Sequence, residues 1–232
     1  GRVNSGLVVL AVEGYASQVE GFRRLRLPVH STMVATEPLS AELWDELGWQ
    51  QRSTINDLRR HLFYAQRTVD GRIAFGGRGA PYKFASQVEL NRSDAIGVSR
   101  IVEEVLYEVF PMLQGVEISH RWSGVLGVPR DWMPSVHVNR ADKLALIGGY
   151  SGDGVALTHL AGRTLAHLIT GTPSPLTALP LVGHSSPTWE PEPLRVMGVR
   201  LTERLARHAD GVERHTGKPS WSGKVFSKLS GH

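Results

Sequence analysis

The stretch GGYSGDGVALTHLAGRTLAHLITG, residues 148–171, places four glycines within seven residues directly before a run with helical apolar spacing. The apolar residues 144–147 before it predict a strand, and residues 155–169 predict a helix. A helix N-terminus leaves its first amides unpaired and carries roughly half a positive charge, so it binds anions or polarised oxygens. Glycines permit positive φ and let a flat or anionic ligand approach the backbone. The stretch therefore predicts a strand–turn–helix unit that is either a ligand site or a plain tight turn.

Three other glycine-containing motifs bear on the function of this turn. It is not a phosphate loop because no GK[ST] follows, and the chain contains no GxGxxG dinucleotide fingerprint. Ser151 in GYSGDG is similar to a GxSxG nucleophile elbow, and Asp210 with His184 or His215 could complete a triad. The rest of the chain lacks the alternating strand–helix pattern of such hydrolases. A serine hydrolase that uses Ser151 is therefore the alternative interpretation.

Composition limits the other function classes. The 232 residues, 41% hydrophobic, can bury the core of one large domain or two small ones. The formal net charge of +4 is too weak to indicate a nucleic-acid partner. The absence of cysteine excludes disulfides and thiolate chemistry, and the ten histidines show no metal-binding spacing, so no metal site is expected. No apolar run reaches about 18 residues, so we expect no membrane partner and a cytoplasmic protein.

The chain begins with an apolar run at residues 7–12 that is typical of a strand buried on both faces. Such strands rarely begin a domain, so we expect a missing N-terminal segment or a partner chain. Further predicted elements are strands at 27–36 and 116–125, helices at 40–47 with Ser40 as N-cap, 94–113 and 194–209, and hairpins at 61–77 and 133–149.

The last sixty residues divide into two parts. Six prolines between 173 and 193 predict an extended strap without regular structure. Residues 217–232 are predicted to be a mostly disordered basic tail. Trp221 and Phe226 among its lysines would allow a third interpretation, a non-enzymatic module that binds nucleic acid, although such tails are usually only solvated.

Five segments follow one another in the order LVVLAVEGY, HLFYAQRTVDGRIAFGGRG, RWSGVLGVPRDWMP, the GGYSGDG turn and PLVGHSSPTWEPEPLR. Together they resemble the D-amino-acid-oxidase-like FAD-dependent oxidoreductases, in particular their gamma-glutamylputrescine-oxidoreductase-like branch. In the first segment Ala11 and Gly14 fit an ATG-like turn of the family, whereas residues 12–13 depart from it. The third segment matches a W-x-G…D-x-x-P pattern at Trp122, Gly124, Asp131 and Pro134.

The resemblance implies an α+β fold, in which an antiparallel substrate-domain sheet with flanking helices joins the C-terminal part of an FAD-binding α/β domain. It divides the chain into a strand and turn of the FAD-binding domain (1–26), a substrate-binding domain (27–118), the C-terminal part of the FAD-binding domain (119–172), and the strap, last helix and basic tail (173–232). Because the GxGxxG segment is absent, we expect a C-terminal portion of a longer enzyme or a degenerate relative. These 232 residues alone are expected to be inactive and to expose the apolar faces of residues 7–12, which would favour a homo-oligomer or an N-terminal partner chain.

The resemblance also implies FAD as cofactor and amine oxidation as activity. The helix N-terminus would stabilise negative charge on the pyrimidine end of the reduced flavin. Asp153 would oppose that charge, so we expect it to cap the helix or to point outward. The implied cofactor-binding residues are Ala11, Gly14, Trp122, Gly124, Gly149, Tyr150, Ser151, Gly152, Asp153, Gly154 and Val155.

The substrate class is predicted from the absence of one arginine. Relatives that oxidise amino acids often place an arginine where this chain has Leu126, and that arginine would hold the substrate carboxylate. The resemblance therefore favours a small-molecule amine. Tyr64 and Arg67 on the first hairpin are candidate substrate-binding residues. Alternatively, Tyr64 is a core aromatic with a bound hydroxyl, and Arg67 is a surface partner of Asp70.

Overall fold

Eight strands in the described part of the chain form two sheets, with five α-helices around them. The computed structural model describes residues 1–57, 59–60, 62–80 and 82–230, without the side chains of residues 78–80. The strands are β1 (Val8–Leu10), β2 (Leu27–Thr36), β3 (Thr54–Asn56), β4 (Phe63–Arg67), β5 (Ile73–Ala80), β6 (Ile118–Val128), β7 (Ser135–Asn139) and β8 (Leu144–Gly148). The helices are α1 (Ala41–Leu47), α2 (Arg92–Val109), α3 (Gly154–Thr170), α4 (Leu194–Thr216) and α5 (Trp221–Ser230).

The larger sheet has the order β3-β4-β5-β2-β6, and all its pairs are antiparallel. Its interior strand β2, between β5 and β6, has the predicted bounds. Since side chains alternate along a strand, Val34 and Phe75 point to one face, where they pack against Val102 and Leu106 of α2. The predicted hairpin forms β4 and β5, although its first residue, His61, lies outside the described residues. The α+β class with an antiparallel sheet is therefore confirmed.

The smaller sheet has the order β1-β8-β7 and joins the start of the chain to its later part. β1 runs parallel to β8, and β8 is antiparallel to β7. Ala161 and Leu165 of α3 pack into the core of this sheet. The expectation that these 232 residues expose apolar faces at residues 7–12 is confirmed. Val8 is 54% and Val9 45% exposed, because β8 is the only described strand that pairs with β1.

The predicted division of the chain before residue 119 falls at the start of β6. This strand pairs with β2 from Leu27 opposite Val128 to Thr36 opposite Ile118. The division would therefore separate two strands that lie in one sheet.

Helix ends follow local signals in the sequence. The hydroxyl of Ser40 accepts a hydrogen bond from the amide of Leu43 at 3.4 Å, as predicted for an N-cap. Asn91 caps α2 in the same way, through the amide of Asp94 at 2.8 Å, so α2 begins two residues before its predicted start. In the described residues, no helix is both long and apolar enough to cross a bilayer.

The C-terminal tail corrects a prediction. α4 continues to Thr216, and the tail predicted to be mostly disordered contains α5. The hydroxyl of Ser220 accepts a hydrogen bond from the amide of Gly223 at 3.0 Å, which starts the helix. Ser222 bonds His208 of α4 at 2.8 Å, and the indole of Trp132 donates to the carbonyl of Ser230 at 2.9 Å. These bonds hold α5 against the body of the protein.

Candidate functional site

The turn between β8 and α3 has an unusual backbone. Gly148, Gly149 and Gly152 have φ values of 138°, 83° and 122°, and Ser151 has a φ of 53°. Glycine adopts such angles without a steric penalty, which explains the glycine-rich sequence. The turn brings the end of the buried strand β8 to the start of α3 within five residues.

The N-terminus of α3 is open. Asp153 occupies the N-cap position but makes no side-chain capping hydrogen bond, and it is exposed. Val155 is 96% exposed, and a Cβ added to Gly152 or Gly154 would meet no heavy atom within 4 Å. The first amides of the helix are therefore available to a ligand, and the glycines leave room for a flat group to reach them.

Tyr150, in the middle of the turn, is 6% exposed, and its hydroxyl has no hydrogen-bond partner in the described residues. Burial and the nearby carboxylate of Glu13 raise the pKa of Tyr150. A buried polar group without a partner is uncommon in a folded protein, and the expected partner is a water or a polar ligand atom.

Glu13 binds the backbone of the turn. Its carboxylate accepts hydrogen bonds from the amides of Gly149 at 2.8 Å, Tyr150 at 3.0 Å and Gly127 at 3.3 Å. It also lies 3.7 Å from the buried guanidinium of Arg26. Burial lowers the pKa of Arg26, and Glu13 and Tyr150 act against that shift. The sequence showed Glu13 only as a departure from an ATG-like turn, and it gave no signal for Arg26.

Two predicted cofactor-binding residues, Gly14 and Ala11, lie near Glu13, and they differ in their exposure to solvent. Gly14 is buried, and a Cβ there would lie 2.5 Å from a methyl of Val125 and 2.8 Å from the carbonyl oxygen of Leu126. Only glycine therefore allows this segment to pass close to β6. Ala11 is exposed beside it.

Tyr64, Trp122 and Gly124 share the face of the larger sheet opposite to α2. Tyr64 lies opposite Gly76, and Met33 lies between Gly76 and Trp122 in one cross-strand row. The Tyr64 hydroxyl bonds Ser31, which is paired with Gly124. Trp122 is 46% exposed. At about 3.3 Å per residue, Gly124 lies roughly 10 Å along β6 from Gly127, the strand's contact with Glu13.

Arg67 is not brought to this row. It is three residues from Tyr64 in β4, so it points to the opposite face. Its guanidinium lies 4.0 Å from the ring centre of Trp44 and donates to the carbonyl of Trp49 at 3.3 Å. The alternative interpretation, a pair with Asp70, is also wrong, because the Asp70 carboxylate binds Arg72 at 2.7 Å.

A cavity of about 330 Å³ lies between the start of α2 and β6. Its lining includes Tyr15, His30, Ser99, Arg121, Trp122 and Ser123. His30 bonds the carbonyl of Val88 at 2.8 Å, and Arg121 binds Glu103 at 2.6 Å. The sequence carried no motif for this cavity, because its walls come from four separate segments.

The proposed triad members have other partners. The Ser151 hydroxyl donates to the carbonyl of Gly149 at 3.4 Å, and Asp210 binds Arg60 at 3.3 Å. His184 faces Asp131 at 2.8 Å, and His215 lies in the last turn of α4. The described contacts therefore do not assemble a Ser–His–Asp triad. Among the described residues, no group of three or more metal-ligating side chains is present either.

The open glycine turn and the uncapped N-terminus of α3 suit an electronegative group of a ligand, as in a cofactor-binding protein. The family of FAD-dependent oxidoreductases known as DAO matches residues 1–168. The chain belongs to this family, and FAD is the cofactor of the family.

Relatives agree with this assignment. The chain is similar to gamma-glutamylputrescine oxidoreductase of Escherichia coli, with 33% identity over 174 residues, which cover 74% of this chain and 38% of that protein. It is 32% identical over 170 residues to a probable oxidoreductase, OrdL, of Haemophilus influenzae, covering 71% of this chain and 36% of the relative. The chain thus spans less than half the length of these relatives.

A solved structure shows the same fold. Glycine oxidase from Bacillus cereus superposes with a TM-score of 0.54 at 20% sequence identity, covering 72% of this chain and 43% of that chain. At this identity the likeness shows the fold only.

Proposed function

We propose that the protein carrying this chain oxidises the C–N bond of a small-molecule amine with FAD. The observation that carries the proposal is the open N-terminus of α3 behind a glycine turn, in a member of an FAD-dependent family. When bound, FAD would supply the acceptor for a hydride from the carbon that bears the amine, and water would hydrolyse the resulting imine to a carbonyl compound. The residues that would hold it are those of the turn, Gly149–Val155, together with Ala11, Gly14, Trp122 and Gly124.

The role of the turn is electrostatic. The amides that begin α3 and the dipole of its 17 residues favour negative charge at the helix N-terminus. Gly152 and Gly154 leave the approach open, so a flat ring edge could come within hydrogen-bond distance of these amides. Asp153 is exposed to solvent, as expected for a carboxylate that would otherwise repel negative charge at the helix N-terminus.

The preference for an amine over an α-amino acid is supported by Leu126, which offers no charge for a substrate carboxylate. One relative is named for gamma-glutamylputrescine, whose putrescine part carries a primary amine without a neighbouring carboxylate. We propose Tyr64 as the substrate-side residue. Trp122 lies on the same face of the sheet, with the strands β5 and β2 between them. Arg67 is not retained, because it binds Trp44 and Trp49 on the other face.

Residues outside this chain are proposed to hold the adenosine and pyrophosphate of FAD, since these 232 residues contain no GxGxxG. A partner chain or another segment of the same protein could supply them. A homo-oligomer that buries β1, a soluble cytoplasmic location, and the absence of nucleic-acid and membrane partners stay proposals as well.

The test uses the natural protein that carries this chain, purified with its cofactor. We expect a flavin spectrum that is bleached under anaerobic conditions by gamma-glutamylputrescine or putrescine, with formation of an aldehyde. Glycine and proline serve as amino-acid controls and should reduce the flavin much more slowly. A protein without flavin would refute the proposal, and faster reduction by the amino acids would refute the choice of substrate.

A further inference from the structure

Glu13 connects the two sheets through backbone amides. Gly149 and Tyr150 belong to the turn that follows β8 of the smaller sheet, and Gly127 belongs to β6 of the larger sheet. One carboxylate therefore accepts hydrogen bonds from both. Glu13 itself has a φ of 45°, a strained value for a residue with a side chain, so the fold holds it in this position.

The space around this carboxylate is shaped by glycines. A Cβ on Gly127 would lie 2.9 Å from the carbonyl carbon of Glu13 and 3.0 Å from Cδ of Arg26. A Cβ on Gly148 would overlap both the guanidinium of Arg26 and the carboxylate of Glu13. These positions admit only glycine while the pair is in place. The junction is thus built around Glu13 and Arg26.

The charges at the junction compensate each other. The side chain of Arg26 is 3% exposed and that of Glu13 22% exposed, so neither charge is fully solvated. Removing one partner would leave the other as a poorly solvated charge close to the turn. The two amides of the turn that bind Glu13, those of Gly149 and Tyr150, lie three and two residues before Gly152 in the chain. They therefore connect this charge pair to the part of the turn that we propose faces the cofactor.

We propose that Glu13 and Arg26 are a positioning pair for the cofactor turn. Glu13 fixes the amides of Gly149 and Tyr150, and thereby the direction of the turn relative to β6. Arg26 neutralises the negative charge that Glu13 would otherwise place behind a reduced, anionic cofactor. The first half of this inference, the positioning of the two amides by Glu13, concerns the chain alone. The second half, the neutralisation of charge by Arg26, rests on the proposed function.

The first half is tested by amide hydrogen exchange on the chain without cofactor. In Glu13→Gln, the amides of Gly149 and Tyr150 should exchange at least about tenfold faster than in wild type, because a charged acceptor is lost. Glu20→Gln removes an exposed charge from the same segment and is the matched control. Unchanged exchange of both amides in Glu13→Gln would overturn the positioning role, whatever the protein binds.

The second half is tested by the reduction potential of the bound flavin in the natural protein. Glu13→Gln should raise the potential and Arg26→Met should lower it, whereas Arg26→Lys and Glu20→Gln should stay near wild type. A purely structural role would not shift the two variants in opposite directions. Shifts of the same sign, or none, would overturn this half. If Arg26→Met does not retain flavin, the sign of the Glu13→Gln shift decides. A protein without flavin would refute the proposed function and leave the exchange result valid.

Discussion

Gly76 lies opposite Tyr64 in the larger sheet, close enough that a Cβ would collide with the Tyr64 ring. The glycine therefore lets the ring lie flat on the sheet, where its hydroxyl bonds Ser31. The neighbouring Gly77 differs, since its nearest atom to an added Cβ is the carbonyl oxygen of Leu62 at 3.5 Å, an ordinary contact. The two adjacent glycines thus have different reasons to be glycine.

Gly76→Ala should destabilise the chain by about 1–3 kcal/mol, the usual cost of overpacking, because the Tyr64 ring must move away from Ser31. Gly77→Ala is the matched control and should cost much less. Urea unfolding of the two variants measures the difference. Equal losses in both would contradict the assigned role of Gly76.

Sequence alone predicted single residues well where the signal is local. The Ser40 cap and the positive φ of the glycines in the turn are of this kind. Tyr64 and Arg67 were both candidate substrate-binding residues, but residues three apart in a strand point to opposite faces, so the two do not share one site. Glu13 and Arg26 meet through a turn and two sheets, and no local pattern indicates such a contact.

At the scale of elements, the C-terminal helices show how a polar segment can be ordered by a few bonds. Glu213 at the end of α4 accepts two hydrogen bonds from Arg60, at 2.9 and 3.1 Å. It also accepts one from the amide of Ser220 at 3.0 Å. The carboxylate therefore joins α4, the start of α5 and the loop before β4. Composition suggested a solvated tail because lysine, serine and glycine dominate it, and these long-range bonds were not visible in the sequence.

The hydrogen bonds from Arg60 and Ser220 lower the pKa of Glu213 to about 2, from 4.5. Since the folded value is the lower one, the carboxylate stabilises the fold above pH 4.5, and this contribution is lost as the pH falls towards 2. Glu213→Gln should therefore lower the Tm at neutral pH, by an amount that shrinks below pH 4.5.

Thermal unfolding of wild type and Glu213→Gln at several pH values measures this difference in Tm. Glu104→Gln, which changes an exposed glutamate on α2, is the control and should show little deficit at any pH. A Glu213→Gln deficit that stays constant with falling pH would contradict the assigned ion pair.

At the scale of the whole molecule, the order of short motifs predicted the fold class better than any single element did. β1 and β8 are about 135 residues apart and pair in parallel. The resemblance to the family implied that both belong to the FAD-binding domain, but not how they pair. The placement of β6 beside β2 could not be derived, because strand order in a sheet depends on contacts distant in sequence. For the whole molecule, we propose above all that the turn before α3 binds the flavin ring.

The most direct test of that claim is the flavin content of the natural protein with Gly154→Val, compared with Gly162→Val. Both glycines lie in α3, and a Cβ at either would meet nothing within 4 Å, so both variants should fold. We expect Gly154→Val to lose most of its bound flavin, because the side chain fills the open approach to the helix N-terminus, and Gly162→Val to keep it. Normal flavin content in folded Gly154→Val protein would contradict the claim.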